Sequence, residues 1–163
     1  MFQEVRSESF CRLVQPSVLA VSLLFAGTQA HARGLSKNLN EEELIGYLAD
    51  GAEAARAEAC DRLGKRRSVS AIPSVGKAAA EDGSPRVRKQ CVQALATIGN
   101  AEGASWARKV ALEDSDDEVR MEALAALGKL ADETSAAEAA IAILEGDSPL
   151  RVRREAAHIL GSK

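Results

Sequence analysis

Asp and Arg residues recur at a fixed spacing along this chain of 163 residues. Each Arg follows an Asp by six positions, and successive Arg residues lie 32 or 33 positions apart. The pairs are Asp50/Arg56, Asp82/Arg88, Asp114/Arg120 and Asp147/Arg153. Such rows could line a binding groove, but a catalytic group has no reason to recur in every repeat. Asp at a helix entrance accepts backbone N–H bonds, and Arg can fork between carboxylates of its own and the adjacent repeat. We therefore predict that these residues form a structural ladder.

Other reactive residue types are sparse. His158 is the one histidine that follows the N-terminal segment, and its register faces away from the apolar stripe, which predicts an exposed side chain. A zinc or di-iron site needs three or more clustered ligands. The sequence contains no G-x-S-x-G motif, no phosphate-binding glycine loop and no C-x-x-C motif. We predict no catalytic residue, no metal site and no cofactor.

Cys60 and Cys91 fall within the apolar stripes of adjacent helices. Helices that pack through small residues could bring the two Cα atoms within disulfide distance, about 4.4–6.8 Å. The alternative is a pair of buried thiols that act as small apolar side chains. Both interpretations remain open at the level of sequence.

Trp106 is the one tryptophan of the chain. Its equivalents in the neighbouring repeats, Ser74 and Glu138, are polar, which favours a partly exposed ring. With Arg108 and Lys109 beside it, Trp106 is a candidate for partner binding, since Trp and Arg are enriched in binding hot spots. The alternative is a ring folded over alanine-rich neighbours.

Helical periodicity positions all of these residues. Around each Arg, positions −1, +3, +4 and +7 are apolar or small, which is one face of a helix. These positions are Ala55/Ala59/Cys60/Leu63, Val87/Cys91/Val92/Leu95, Val119/Ala123/Leu124/Leu127 and Val152/Ala156/Ala157/Leu160. A second helix is predicted in each full repeat, over Ser70–Ala80, Glu102–Leu112 and Thr134–Leu144. A short helix over Leu44–Leu48 begins with a capping box of Asn40 and Glu43. No stretch alternates with period two, so no sheet is predicted.

A two-helix unit of this length, with D-x5-R at its head and L-G near the end of its first helix, resembles the HEAT-like repeats of the bilin-lyase type. The resemblance covers residues 41–163 and is weakest in the first copy, where Ala55 replaces valine. It implies an all-α fold, a short right-handed α-solenoid of antiparallel helix pairs, with the second helices on the concave face. It also implies that the Asp and Arg columns are a ladder. In this frame the array is half a repeat, three pairs and a closing half.

The first 32 residues have the features of a signal peptide. Arg6 and Arg12 precede an apolar run over residues 13–27, and Ala30 and Ala32 fit the A-x-A pattern of signal peptidase. We predict cleavage after Ala32, a polar leader over residues 33–40 and a HEAT-like domain over residues 41–163. The run is too short for a comfortable membrane span, so no integral span is expected in the mature chain. An uncleaved amphipathic anchor is the alternative.

Composition restricts the function classes. The net charge of −3 and the pI of about 5.5 argue against nucleic-acid binding, which needs a basic surface. The leading hypothesis is a non-catalytic protein-binding scaffold of the bacterial cell envelope, periplasmic or secreted, which binds another protein through its concave face. A lyase-type or accessory protein acting on a chromoprotein, and a structural module of a larger envelope assembly, are the alternatives.

Overall fold

The computed structural model of the protein describes residues 35–130 and 133–161. These residues form eight α-helices and no strand, so the predicted all-α solenoid is confirmed. The signal peptide predicted over residues 1–32 lies outside the described residues. The helices are α1 (Glu41–Asp50), α2 (Glu53–Lys65), α3 (Ile72–Glu81), α4 (Pro85–Ile98), α5 (Ala101–Glu113), α6 (Asp117–Lys129), α7 (Glu133–Glu145) and α8 (Leu150–Gly161).

The helices form two layers. One layer contains the helices that carry the repeated Arg, which pack side by side: α2, α4, α6 and α8. We call it the first-helix layer, after the first helix of the predicted repeat. The other layer, called the second-helix layer, contains α1, α3, α5 and α7, which also pack side by side. The most extensive contacts between the layers join α1 to α2, α3 to α4, α5 to α6 and α7 to α8. A short turn joins the two helices of each of these pairs. The packing units are therefore four complete helix pairs, here called hairpins 1 to 4. The predicted frame of two half repeats around three pairs is corrected accordingly.

The predicted apolar stripe forms the core of the first three copies. Position +3 is fully buried in all four copies, and positions +4 and +7 are fully buried in α2, α4 and α6. In α8 these two positions differ, because Ala157 is exposed and Leu160 is 36% exposed. Among the described residues, this side of α8 is therefore exposed, whereas the same side of α2, α4 and α6 is buried.

Helix ends follow the sequence signals. The capping box at α1 is confirmed, since the Asn40 side chain accepts from the Glu43 N–H and the Glu43 carboxylate accepts from the Asn40 N–H. Helix α4 ends at Gly99, whose φ of 76° is left-handed. One repeat earlier, Arg67 holds a left-handed φ of 53° after α2, where Ser68 N–H donates to the Leu63 carbonyl. Arg67 therefore takes a backbone conformation that favours glycine.

Residues that precede α1 lie against α2. Leu35 and Leu39 pack on the core, and the Leu35 N–H donates to the Glu58 carboxylate over 3.0 Å. Arg62 donates to the carbonyls of Leu35 and Ser36, and Arg66 donates to that of Leu39 over 2.7 Å. The described part of the predicted leader, residues 35–40, accordingly belongs to the same compact unit as the helices.

Candidate functional site

Two bidentate ion pairs connect the first three hairpins. Arg56 donates from Nε and Nη2 to the two Asp82 carboxylate oxygens over 2.6 and 2.8 Å. Arg88 makes the same pair with Asp114 over 2.7 and 2.8 Å. Each pair joins one hairpin to the next, and we call it a rung.

Backbone groups complete each rung. The Nη1 of Arg56 donates to the Gly51 carbonyl, and that of Arg88 donates to the Asp82 carbonyl, both over 2.9 Å. Each arginine thus reaches its own repeat through a carbonyl group and not through a carboxylate. The Asp82 carboxylate also accepts from the Ser84 N–H, as that of Asp114 does from the Asp116 N–H.

Burial makes the rungs structural elements. The side chains of Arg88 and Asp114 are only 10% and 2% exposed, and that of Asp82 is 6% exposed. Burial alone would raise the pKa of Asp82, but the hydrogen bonds from Arg56 and the Ser84 N–H outweigh it and hold the pKa below its ordinary value. The bond to Asp114 likewise raises the pKa of Arg88. Asp82 and Arg88 are therefore both held in their charged forms, and the rungs stabilise the fold.

The ladder does not extend into hairpin 4. Arg120 donates to the Ser148 hydroxyl over 2.6 Å, and its Nη1 lies 3.7 Å from Asp117 in its own helix. Asp82 and Asp114 directly follow the second helix as its C-cap, and Gly146 makes the equivalent cap bond, its N–H donating to the Ala142 carbonyl. Asp147 is displaced by one residue and is exposed. The ladder predicted through all four copies is thus corrected to two rungs.

Besides Arg120, three ladder residues lie outside the two rungs. Asp50, Asp147 and Arg153 are exposed, and among the described residues none of their side chains has a hydrogen bond or an ion pair. Asp50 is the last residue of α1, where Gly51 takes the C-cap position, and Arg153 lies in α8 of hairpin 4. In the repeat register of the sequence, Asp50 is the first Asp and Arg153 is the last Arg.

The structure joins Cys60 of α2 and Cys91 of α4 by a disulfide with a Cα–Cα distance of 4.9 Å. Both residues are fully buried. Gly64 explains the close approach, because a Cβ built there would lie 2.8 Å from the Ala94 Cα. The bridge covalently joins hairpins 1 and 2, beside the Arg56–Asp82 rung.

The Trp106 ring lies half-buried over Gly76 of α3. A Cβ built at Gly76 would come within 2.4–2.5 Å of three ring atoms, so glycine creates the space for the indole. Lys109 Nζ stands 5.7 Å from the ring centroid, and Arg108 pairs with Glu138 of α7 over 3.3 Å. The ring is thus fixed between α3 and α5 with one part exposed, and the Lys109 ammonium group lies over it.

The second-helix layer also carries grooves between successive helices. A groove of about 410 Å³ separates α1 from α3, and a smaller one of about 190 Å³ lies between α3 and α5. The larger groove is lined by both apolar and charged side chains. Its lining includes Ile45, Leu48, Ala49, Ser74, Ala78, Lys77 and Glu81. Sequence reasoning missed these grooves, because their positions carry mixed residue types with no repeated signature.

The residues considered for other chemistry do not assemble into a site. His158 is exposed on α8, as its register predicted. Over the described ranges, no group of three or more His, Cys, Asp or Glu residues is arranged to hold a metal ion. No helix in that part of the chain is both long and apolar enough to cross a membrane.

Comparison with known proteins identifies the class. The family model of HEAT repeats matches residues 41–110 and 73–161, which together cover most of the chain. The protein therefore belongs to the HEAT-repeat family, whose members are typically non-enzymatic scaffolds that bind other proteins. The match is to HEAT repeats in general and does not identify the bilin-lyase type. No curated protein matches the chain at a significant level of similarity.

Proposed function

We propose that this protein is a non-catalytic scaffold of the bacterial cell envelope that binds another protein through its second-helix layer. The observation that carries the proposal is the fixed Trp106 ring. An aromatic side chain already held in place loses little conformational entropy on binding, which is why such residues anchor interfaces. Lys109 adds a positive charge over the ring, and the exposed Arg108, which pairs with Glu138, lies two residues along the same helix.

The neighbouring groove supports the same surface. Its apolar lining residues between α1 and α3 would accept side chains of a bound segment, and Lys77 and Glu81 in the same lining would orient them. Trp106 and this groove are carried by adjacent helices of one layer. A partner that lies across α1, α3 and α5 would contact both.

The cell-envelope assignment rests on two observations. The N-terminal segment has the basic, apolar and A-x-A regions of a cleavable signal. The Cys60–Cys91 disulfide is of the kind that persists in oxidising compartments and is rare in the cytoplasm. We expect N-terminal sequencing of the exported protein to begin at Arg33, and an intact N-terminus in the cytosolic fraction would contradict the assignment.

Site-specific photocrosslinking tests the binding surface. A photoreactive amino acid at Arg108 should capture one discrete protein from the native envelope, and the same probe at Thr97, exposed in the first-helix layer, should not. Trp106→Ala should abolish the crosslink without unfolding the protein, as checked by circular dichroism. Equal capture from both layers would overturn the surface assignment. With the captured protein purified, the fluorescence of the single tryptophan measures binding directly.

A further inference from the structure

The two grooves of the second-helix layer are equivalent in the repeat register. The smaller groove, between α3 and α5, is lined by Ala80, Lys109, Val110, Glu113 and Asp114. At the corresponding positions, 32 residues earlier in each case, the larger groove is lined by Leu48, Lys77, Ala78, Glu81 and Asp82. Two neighbouring grooves therefore present one Lys and one Glu beside apolar side chains in the same arrangement.

The Lys and the Glu of each groove are not used by the fold. Lys77 and Glu81 are exposed and lie one turn apart on α3, as Lys109 and Glu113 do on α5. Among the described residues, none of these four side chains has a hydrogen bond or an ion pair, and the Lys109 ammonium group contacts only the Trp106 ring. Each groove thus offers hydrogen-bond donors and acceptors from a pair of side chains with no net charge.

The peptide unit is complementary to such a pair. It accepts a hydrogen bond at its carbonyl group and donates one at its N–H, and it carries no charge. Both groups are free in a segment with polyproline II conformation, which has no internal hydrogen bonds. The period also matches, because one turn of this conformation takes three residues and advances about 9 Å, and packed helices lie about 8–10 Å apart.

The next position along the same row is apolar. Between α5 and α7, Ile141 takes the place that Lys109 has one repeat earlier, and Leu112 takes the place of Ala80. The side chains of Ile141 and Leu112 are 46% and 36% exposed. Two neutral Lys/Glu pairs are therefore followed by an exposed aliphatic pair on the adjacent helices.

We infer that the occupant of the second-helix layer is an extended segment of the partner in polyproline II conformation, which crosses α1, α3, α5 and α7 with one turn per helix. Lys77 and Lys109 donate to carbonyl groups of the segment three residues apart, and Glu81 and Glu113 accept from its N–H groups. A large aliphatic side chain, a further three residues along, packs on Leu112 and Ile141. The inference rests on the proposed function and specifies the chemistry of the partner.

Peptide selection tests this occupant. A phage-displayed library of random dodecapeptides is panned on the protein, expressed from its full-length reading frame and purified as the cell leaves it. The wild type should enrich peptides that share one large aliphatic position, and Trp106 fluorescence measures their affinity as synthetic peptides. Ile141→Lys introduces the residue found in both grooves. It should weaken binding of these peptides by at least about tenfold and remove the aliphatic preference.

The converse exchange tests the period. Lys109→Ile moves an aliphatic side chain one helix closer to α1, and it should enrich peptides with a second aliphatic position three residues from the first. Thr97→Lys, on the exposed side of α4, is the control and should leave the selection unchanged. All three positions are exposed, so the variants should fold, which circular dichroism verifies. No enrichment by the wild type, an aliphatic preference that persists in Ile141→Lys, or a second position at another spacing would overturn the inference.

The crosslink at Arg108 separates this inference from the proposed function. Enriched peptides that displace the captured protein would support both. A crosslink without any enriched peptide would mean that the partner docks through a folded surface, which overturns the inference and leaves the proposed function standing. Absence of both the crosslink and the enriched peptides would overturn both.

Discussion

Hairpins 1 to 3 and hairpin 4 are built from the same repeat, yet they are joined differently. Two buried rungs and a disulfide connect the first three hairpins, whereas Arg120 meets hairpin 4 only through the Ser148 hydroxyl. The difference arises at one backbone position. Asp82 and Asp114 are the C-cap residues of their helices, and Gly146 takes that position in the turn of hairpin 4. Placement within one residue decides whether a carboxylate lies in reach of the arginine.

The comparison predicts unequal costs for removing equivalent arginines. Arg88→Ala leaves the Asp114 carboxylate, 2% exposed, without its cation, and should lower the free energy of unfolding by about 3–5 kcal/mol. Arg120→Ala leaves no buried carboxylate unpaired. It removes a hydrogen bond to the Ser148 hydroxyl, a longer one to the Ala111 carbonyl and a loose ion pair with Asp117, and should cost about 1–2 kcal/mol. Urea denaturation of both variants measures the difference. Equal losses would mean that the rung does not distinguish the two regions.

The disulfide adds a covalent difference between the regions. Its closed loop connects residues 31 positions apart, and its loss should lower stability by about 2–4 kcal/mol. Thermal unfolding with and without a reductant measures the effect. A Cys60→Ala/Cys91→Ala variant should not respond to the reductant, and an equal response of that variant would show that the reductant acts elsewhere.

The rungs should also impose a pH dependence on stability. Because the pKa of Asp82 is lowered in the folded state, its contribution is complete above about pH 4 and is lost as pH falls through the folded-state pKa. At pH 7, Asp82→Asn should therefore be clearly less stable than the wild type, and the difference should narrow below about pH 3. Urea unfolding at the two pH values measures it, with Asp61→Asn on the surface of α2 as the control. A difference that is constant with pH would contradict the role given to the carboxylate.

The smallest expected effect is at Arg67. Its left-handed backbone costs a non-glycine residue about 1 kcal/mol, so Arg67→Gly should raise the free energy of unfolding by about 0.5–1 kcal/mol. Gly99 has the equivalent position after α4, and Gly99→Ala should lower stability by a similar amount. Chemical denaturation of both variants resolves the opposite signs. Destabilisation by Arg67→Gly would mean that the arginine side chain contributes more than the backbone costs.

The periodicity of the sequence was sufficient to predict the helices, the buried positions of the first helices and the recurring Asp and Arg residues, because each of these features repeats along the chain. It was sufficient as well to place Cys60 and Cys91 on facing stripes. Features that depend on a single position were not predictable in this way. The failure of the third rung depends on whether Asp147 or Gly146 caps α7, and the docking of the leader depends on Arg62 and Arg66 standing where the next copy has Ala94 and Ile98. Which two successive helices form a hairpin depends on the contacts between helices, and the period of the sequence does not determine these contacts.

Deletion of Gly146 tests the central claim most directly. The deletion moves Asp147 into the C-cap position, 26 residues after Arg120, which is the separation of both existing rungs. A double-mutant cycle of Arg120→Ala and Asp147→Ala should give a coupling energy below about 0.5 kcal/mol in the wild type and above about 1 kcal/mol in the deletion variant. The Arg88/Asp114 cycle gives the reference value. A coupling energy that stays near zero after the deletion would contradict the account that a one-residue displacement separates hairpin 4 from the ladder.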